Sequence, residues 1–251
     1  VFWVKFHVSE KTNWMGDLSI ADGIGVFRGS VGDNTMHRHW AAQITIALEG
    51  TFYLEIPGLD CLPVQAAYFR PNVEHRLVTG KVCSFYFDPA SRLFDHLVDP
   101  SSGLNDSWGA LELTSCLKTL VNAKNPLEAI LTVLRPSRTM DSRIYSVLSR
   151  IHSALNEEDY TNRFSLAEIA GMSPSRFSHW FVEQLGIPVR SYKKWLKLRL
   201  AINAMLAGES PIDAALAGGF SDQAHMSRAF AHAFGITYMS AQTAITSHKN
   251  R

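Results

Sequence analysis

Leu166-Ala-Glu-Ile-Ala-Gly-Met-Ser173 and Ala214-Ala-Leu-Ala-Gly-Gly-Phe-Ser221 are two copies of one pattern, and their reading decides the fold of this 251-residue chain. In each copy a small residue, Ala167 or Ala215, precedes a glycine, Gly171 or Gly219, by four positions. The small residue lets two helices approach closely, and glycine permits the left-handed backbone of a tight turn between them. Ser173-Pro174 and Ser221-Asp222 then read as the starts of new helices, with serine as N-cap and proline or an acid in the first turn. The pattern is a helix-turn-helix, and it occurs twice.

The helices that follow have two different faces. Phe177, Trp180, Phe181 and Leu185 share one side of the first, matched by Met226, Ala229, Phe230 and Phe234 in the second; these are expected to be core. The opposite sides carry Ser175, Ser178 and His179 in the first copy and Ala224, Ser227 and Arg228 in the second, with Arg176, Gln223 and His225 near the helix starts. Small polar and cationic side chains let a helix enter a major groove roughly 12 Å wide without blocking it. Between the copies, Val189 to Leu206 contains no Pro or Gly and reads as one continuous helix. Two recognition helices held by such a rod would reach successive major grooves, roughly 34 Å apart on one side of a duplex.

Charge supports that division of labour. Net charge is only +1, yet residues 1–137 hold 11 Lys+Arg against 14 Asp+Glu (net −3), and residues 138–251 hold 13 against 9 (net +4). Arg190, Lys193, Lys194, Lys197 and Arg199 fall within the connecting helix, where no acid occurs. Such a run either meets a polyanion or forms a solvated helix face. The composition, 46% hydrophobic and 19% charged, excludes a fibrous or disordered chain. No apolar run approaches the roughly 18 residues of a membrane helix. The N-terminus, with Lys5, His7 and Glu10 among aromatics, lacks a signal-peptide layout, so a cytoplasmic location is expected. Cys61, Cys83 and Cys116 lie far apart, as reduced thiols do.

The first half has another grammar. Val1 to Val8, Ile44 to Leu48, Phe52 to Ile56, Val64 to Phe69 and Val82 to Phe87 are short β-branched and aromatic runs. Turn signals at Glu49-Gly50, Pro57-Gly58, Pro71-Asn72 and Thr79-Gly80 separate them, which predicts an antiparallel barrel or sandwich. No convincing strand follows Leu93; Pro89, Pro100, Pro126 and Pro136 punctuate short helices, and Arg135-Pro136-Ser137 reads as the linker. Ile144, Val147, Leu148, Ile151 and Leu155 stand at helical spacing. The expected class is α+β in two domains. It has a barrel at 1–92, a helical linker or dimerisation segment at 93–137, and an all-α domain at 138–251 with two helix-turn-helix units joined by a long helix.

Within the barrel, Gly32, His37, His39, Gln43 and Gly50 have the spacing G-x4-H-x-H-x3-Q-x6-G, followed by Pro71-Asn-Val-Glu-His75. This resembles the two cupin motifs, in which two His, a carboxylate and a later His converge on a metal. Two His spaced by two on a strand point the same way and could meet His75 across the barrel. Gln43 stands where Glu is usual, and a neutral amide binds a divalent cation more weakly. His37, His39, Gln43 and His75 therefore read as an effector pocket, with His37, His39 and His75 as an alternative divalent metal site and no cofactor required. Tyr53, Phe69 and Tyr86 are further candidates for the barrel interior.

From about residue 140 to 245 the chain resembles the AraC/XylS family of bacterial transcription regulators. The matching residues are Ser173-Pro-Ser-Arg-Phe-Ser-His-Trp-Phe181, Gly186-Ile-Pro188, Arg199-Leu-Ala-Ile-Asn203, Gly219-Phe-Ser-Asp-Gln-Ala-His-Met-Ser-Arg-Ala-Phe230 and Gly235-Ile-Thr237. The resemblance implies promoter binding to double-stranded DNA, with Ser175, Ser178 and His179 and then Gln223, Ala224, Ser227 and Arg228 reading bases. It also implies control by a small-molecule effector, activation rather than repression, contact with RNA polymerase and a homodimer. The scaffold helices around Ser165–Ala170 and Ile212–Gly219 are shorter than is usual there. A missing residue turns a helix by about 100°, so Phe164 and Ile212 need not face the core. A cupin metalloenzyme fused to a DNA-binding module, or a constitutive DNA-binding protein without an effector, are the rival readings.

Overall fold

The computed structural model describes residues 14–32, 34–91, 93–98, 107–133 and 141–249. The expected strand at Val1 to Val8 and the linker at Arg135-Pro136-Ser137 lie outside them. The first half is antiparallel: β1 (Met15–Ala21), β2 (Ile24–Val31), β3 (Ala42–Ala47), β4 (Phe52–Glu55), β5 (Leu62–Val64), β6 (Ala66–Phe69), β7 (Arg76–Phe87) and β8 (Trp108–Ala110). Their order is β1-β2-β7-β3-β6-β8, with β4 lying on β7 and β5.

The twelve-residue β7 is the strand that curls the sheet. Its later residues pair with β2 on one side and β3 on the other, so that Phe87 meets both Ile24 and Ala42. Its first residues pair with β4, through Leu54↔Leu77 and Glu55↔Arg76. Thr79-Gly80, expected as a turn, is instead inside β7. Gly80 has φ 146, a Cβ on it would stand 2.6 Å from Phe52 Cβ, and the β4 register shifts between Tyr53 and Leu54. The residue skipped in that register is Val78, so β7 bulges two positions before the glycine and bends rather than ending.

Two further expectations are corrected. β1 and β2 are strands that the sequence does not announce, and β8 contradicts the reading that no strand follows Leu93. β8 is a three-residue edge, paired to β6 through Phe69↔Trp108, and is too short to carry a period of its own. The helices α1 (Phe94–Leu97), α2 (Ser115–Asn122) and α3 (Pro126–Val133) bear out the short-helix reading around it. Their Phe94, Leu117, Leu120, Val121 and Ile130 enter one cluster with Ile44, Phe85 and Phe87, so this segment closes one face of the barrel.

The second half is helical: α4 (Ser142–Ser153), α5 (Glu158–Thr161), α6 (Arg163–Ile169), α7 (Pro174–Leu185), α8 (Val189–Leu206), α9 (Pro211–Ala217), α10 (Gln223–Phe234) and α11 (Tyr238–Lys249). α8 has the bounds the sequence predicts. α6 and α9 are both seven residues long, capped by the side chains of Asn162 and Ser210. Phe164 is 60% and Ile212 61% exposed, so both face away from the core, as the short scaffold helices imply.

The halves share a core. Trp40 and Ala41, just before β3, belong to the same buried cluster as Ile144, Phe177, Tyr192 and Phe230, and α11 packs on β1. Burying such side chains is worth about 1.5–3 kcal/mol each, which makes the interface cohesive rather than a loose tether.

Candidate nucleic-acid interface and candidate sensor site

Gly171 and Gly219 both have φ 64, the left-handed conformation that the two turns require. Ala167 and Ala215 are buried at the close approach. Ser173 caps α7, its side chain accepting from Arg176 N. In the second copy the cap is Asp222, which accepts from His225 N at 2.6 Å; Ser221, the expected cap, instead hydrogen-bonds to the Asp222 carboxylate. An acid fits an N-terminus better than a hydroxyl because it also complements the helix dipole.

With those starts fixed, Phe177, Trp180, Phe181 and Leu185 of α7 and Met226 and Phe230 of α10 are buried, while Ala229 and Phe234 are half-buried. The eight residues expected to face DNA are on the outside. Ser175, Arg176, His179, Gln223, Ala224 and Arg228 are exposed, and Ser178 and Ser227 half-buried. Ser178 Oγ donates to Pro174 O at 3.0 Å, so its hydroxyl is already engaged.

The basic run divides three ways. Lys193 Nζ donates to Thr161 Oγ1 at 2.9 Å and Lys197 Nζ to Gly219 O at 3.1 Å, which brace α8 against the end of α5 and the second turn. Arg199 turns to the barrel and pairs with Asp88. Arg190 and Lys194 remain exposed on a groove of about 610 Å³ that also takes in Arg163, Arg228, His225 and His232, with no acid among the described residues of its lining. A concavity lined by one sign of charge concentrates counter-charge. Arg228, on the outer face of α10, is one of its lining residues.

The three histidines converge, though not from a strand. His37 and His39 lie in the loop before β3, and His37 forms an isolated bridge with His75 at the foot of β7. One ring nitrogen from each lies within 4.8 Å of the others. His37 Nδ1 faces Thr35 O at 2.9 Å, His39 Nδ1 faces Ala41 O at 2.8 Å, and His75 Nδ1 faces Val73 O at 2.9 Å. A carbonyl only accepts, so each Nδ1 carries the hydrogen and each Nε2 the lone pair.

Burial holds the rings neutral. It lowers His37 to about 4, helped by His39, lowers His39, and lowers His75 well below the ordinary value. The Gln43 amide tip lies 2.6 Å from His39 Nε2 and 3.1 Å from His75 Nε2, and at its other atom 2.7 Å from Thr45 Oγ1. With Oε1 toward the rings, both would need a second proton in a buried site. With the NH2 toward them its two hydrogens go to the two lone pairs while Thr45 donates to Oε1, which satisfies His39, His75 and the amide. Phe69 stacks on His75 at 4.1 Å and Tyr86 meets His39 edge-on at 5.4 Å, so the cluster is packed as well as hydrogen-bonded.

A cavity of about 80 Å³ lies elsewhere, between the β1–β2 face and helices α8, α10 and α11. Ile20, Ile24, Tyr86, Trp195, Ile202 and Phe234 are among its mostly apolar walls, and Asp88 and Arg199 supply its charged edge. None of His37, His39, Gln43 or His75 lines it. Among the residues singled out in the sequence, Tyr86, Arg199, Phe230 and Phe234 belong to it, Arg199 as part of the basic run and the two phenylalanines as core. Trp14, Asp88 and Trp195 carry no motif, and β1, which follows Trp14, is not legible in the sequence. Trp14 Nε1 is a buried donor with no acceptor among the described residues.

The class of protein follows from comparison with known chains. Residues 166–242 match the family described as "Helix-turn-helix domain". The arabinose operon regulatory protein of Escherichia coli K12 is 26% identical over 203 residues, covering 80% of this chain; the match spans less than two thirds of that longer protein, 63%. The transcriptional regulator YobQ of Bacillus subtilis 168, itself uncharacterized, is 24% identical over 209 residues, covering 80% and 85%. Apo ToxT K231A from Vibrio cholerae superposes with a TM-score of 0.61 at 11% identity over 90% of this chain and 98% of its own. ToxT bound to an unsaturated fatty acid gives 0.60 at 11%, over 91% and 98%.

Residues 166–242 are thus similar to a helix-turn-helix domain, and over 90% of the chain the fold is the one seen in ToxT, here an antiparallel barrel followed by paired helix-turn-helix units. These relatives are regulators rather than enzymes. Among the described residues no helix is long and apolar enough to cross a membrane.

Proposed function

We propose that this chain is a cytoplasmic, effector-controlled transcription regulator that binds promoter DNA through α7 and α10. The observation that carries the reading is the shared geometry of the two helices. Each buries its aromatic face, starts from a turn with φ 64, and turns a slim polar face outward. α8, 18 residues and about 27 Å long at 1.5 Å per residue, joins them. Ser175, Arg176 and His179 read one groove segment and Gln223, Ala224 and Arg228 the next, with Ser178 and Ser227 as slim spacers. Arg190 and Lys194 meet backbone phosphate, which positions without specifying.

The effector site in this reading is the interdomain cavity rather than the histidine cluster. Occupancy regulates only if it favours one arrangement of the domains over another. A cavity of about 80 Å³ bounded by both halves meets that condition, because anything larger than a small apolar body must move β1–β2 relative to α8 and α10. The ligand class that fits has an apolar body and one acceptor for Trp14 Nε1. The fatty acid carried by ToxT has that chemistry. Homodimerisation through 93–137, contact with RNA polymerase and activation complete the reading. Leu131 and Val133, exposed on α3, are the surface available for a second copy.

The test is binding of the full chain to a promoter library, with and without medium-chain fatty acids as probes. Specific enrichment that changes with the probe supports the reading. Enrichment of no sequence over random DNA overturns it, and enrichment indifferent to every probe favours the constitutive alternative.

A further inference from the structure

The basic groove beside α8 is not built by the DNA-binding half alone. Trp40, from the loop that precedes β3, is one of its walls, and the Trp40 ring stands 6.4 Å from that of His232. On α10, His225, Arg228 and His232 fall at i, i+3 and i+7, and all three are exposed. That spacing sets them along one side of the helix. The face that carries Arg228 therefore runs down to the barrel and ends against Trp40.

Two residues before Trp40 the barrel carries a cation. His37 and His39 are buried, and their backbones are hydrogen-bonded to His75 and Asn72. Side chains alternate along an extended segment, so Arg38 points away from the two rings, to the side of Trp40, and it is exposed. The antiparallel bridge His37↔His75 sets Glu74, also exposed, across from it, and Arg38 forms no ion pair with it among the described residues. A guanidinium held out beside a groove lined by one sign of charge suits a phosphate. The loop is also locked to α10. Thr35 N donates to Gly235 O at 2.9 Å, and Gly235 caps that helix with φ 70, where a Cβ would stand 2.4 Å from Thr35 O. Arg38 thus keeps a fixed place beside α10 only while the two halves stay docked.

We propose that the barrel itself contributes to DNA binding: Arg38 holds a backbone phosphate beside the base pairs that α10 reads, and it does so only in the docked arrangement of the two halves. The inference rests on the DNA-binding reading and adds a contact from the sensor half to it. It gives an effector a route to the DNA that bypasses the recognition helices. Opening the joint removes a phosphate contact, which weakens binding to every sequence alike.

Binding of the full chain to its selected promoter and to a random duplex, titrated over salt, tests both parts. Arg38→Ala should flatten the slope of log affinity against log salt by about 0.9 on both duplexes, with the major-groove footprint unchanged, and Arg38→Lys should keep the slope. One phosphate whose ethylation hinders the wild type should be tolerated by Arg38→Ala. In an Asp88→Ala background, which unpairs Arg199 and loosens the joint, Arg38→Ala should leave the slope nearly unchanged. A chain that binds no DNA overturns the proposed function together with this inference. A chain that binds DNA with the same slope in Arg38→Ala as in the wild type overturns this inference alone. An equal change of slope with and without Asp88 overturns the dependence on docking.

Discussion

Arg199 Nη1 lies 3.0 Å from Asp88 Oδ2, and the pair bridges α8 of the DNA-binding half to the end of β7 in the barrel. Trp195 Nε1, one helical turn earlier, donates to the same carboxylate oxygen at 2.9 Å. Asp88 Oδ1 meanwhile accepts from Ala90 N at 2.8 Å. The Asp88 side chain is only 3% exposed, so the charge is tolerated because each oxygen is hydrogen-bonded. This carboxylate ties the two halves together beside the cavity that both line.

Removing it should loosen the joint more than either domain. Asp88→Ala leaves Arg199 facing a mostly buried space without this carboxylate, and breaking a pair of this kind costs about 3–5 kcal/mol; the 20% exposure of Arg199 places the cost near the lower end. Urea unfolding should show that drop in stability, and limited proteolysis should cut first between the halves. A variant as stable as the wild type would mean that apolar contact alone holds the joint.

Base reading is separable from phosphate contact. Arg228→Ala should cost about 1–3 kcal/mol in specific affinity if its guanidinium pairs with a base edge, with nonspecific binding little changed. His179→Ala should relax specificity at the other half of the site. Competition binding against point-mutated promoter sequences checks both; equal weakening on specific and random DNA would reassign them to the backbone.

Arg190 and Lys194 should behave in the opposite way. Each alanine replacement is expected to flatten the slope of log affinity against log salt by about 0.9 for each phosphate that is no longer neutralised, across all sequences alike. Lys193 and Lys197 are already engaged with Thr161 and Gly219, so their replacement should lower stability more than it lowers that slope. Titrations at several salt concentrations distinguish the two groups.

Filling the cavity should cut off the effector without touching DNA. A Cβ on Gly25 meets only ordinary contacts, Ile20 Cγ1 at 3.8 Å and Tyr86 Cβ at 3.9 Å, in a wall of the cavity and within a strand that favours branched residues. Gly25→Val should abolish the thermal shift given by any cavity ligand, since a ligand that binds only the folded state stabilises it by mass action. Its affinity for DNA without the ligand should match the wild type. A retained shift would place the ligand elsewhere.

The helical half is legible in the sequence because its signals are local. Gly171 and Gly219 mark turns that glycine favours, and α8 lacks any residue able to break it. The barrel is legible where β-branched and aromatic residues cluster, as in β3, β4, β6 and the end of β7, most of whose residues are buried. β1 is mostly exposed or half-buried, and its sequence therefore resembles a loop. Gly80 imitates a turn because its positive φ and close approach to Phe52 need glycine as a turn does. The histidines stand out by their spacing even though His37 and His39 do not lie on a strand. The cavity does not, since Trp14, Asp88 and Trp195 are brought together by a docking of halves that no local pattern encodes.

The most direct measurement is a chemical footprint of the full chain on its selected promoter, read base by base in the major groove. Two protected patches centred about 10 base pairs apart on one face of the duplex are predicted, the first abolished in His179→Ala and the second in Arg228→Ala. A single patch, or two that fade together in either variant, would contradict the claim that α7 and α10 read neighbouring turns of the DNA.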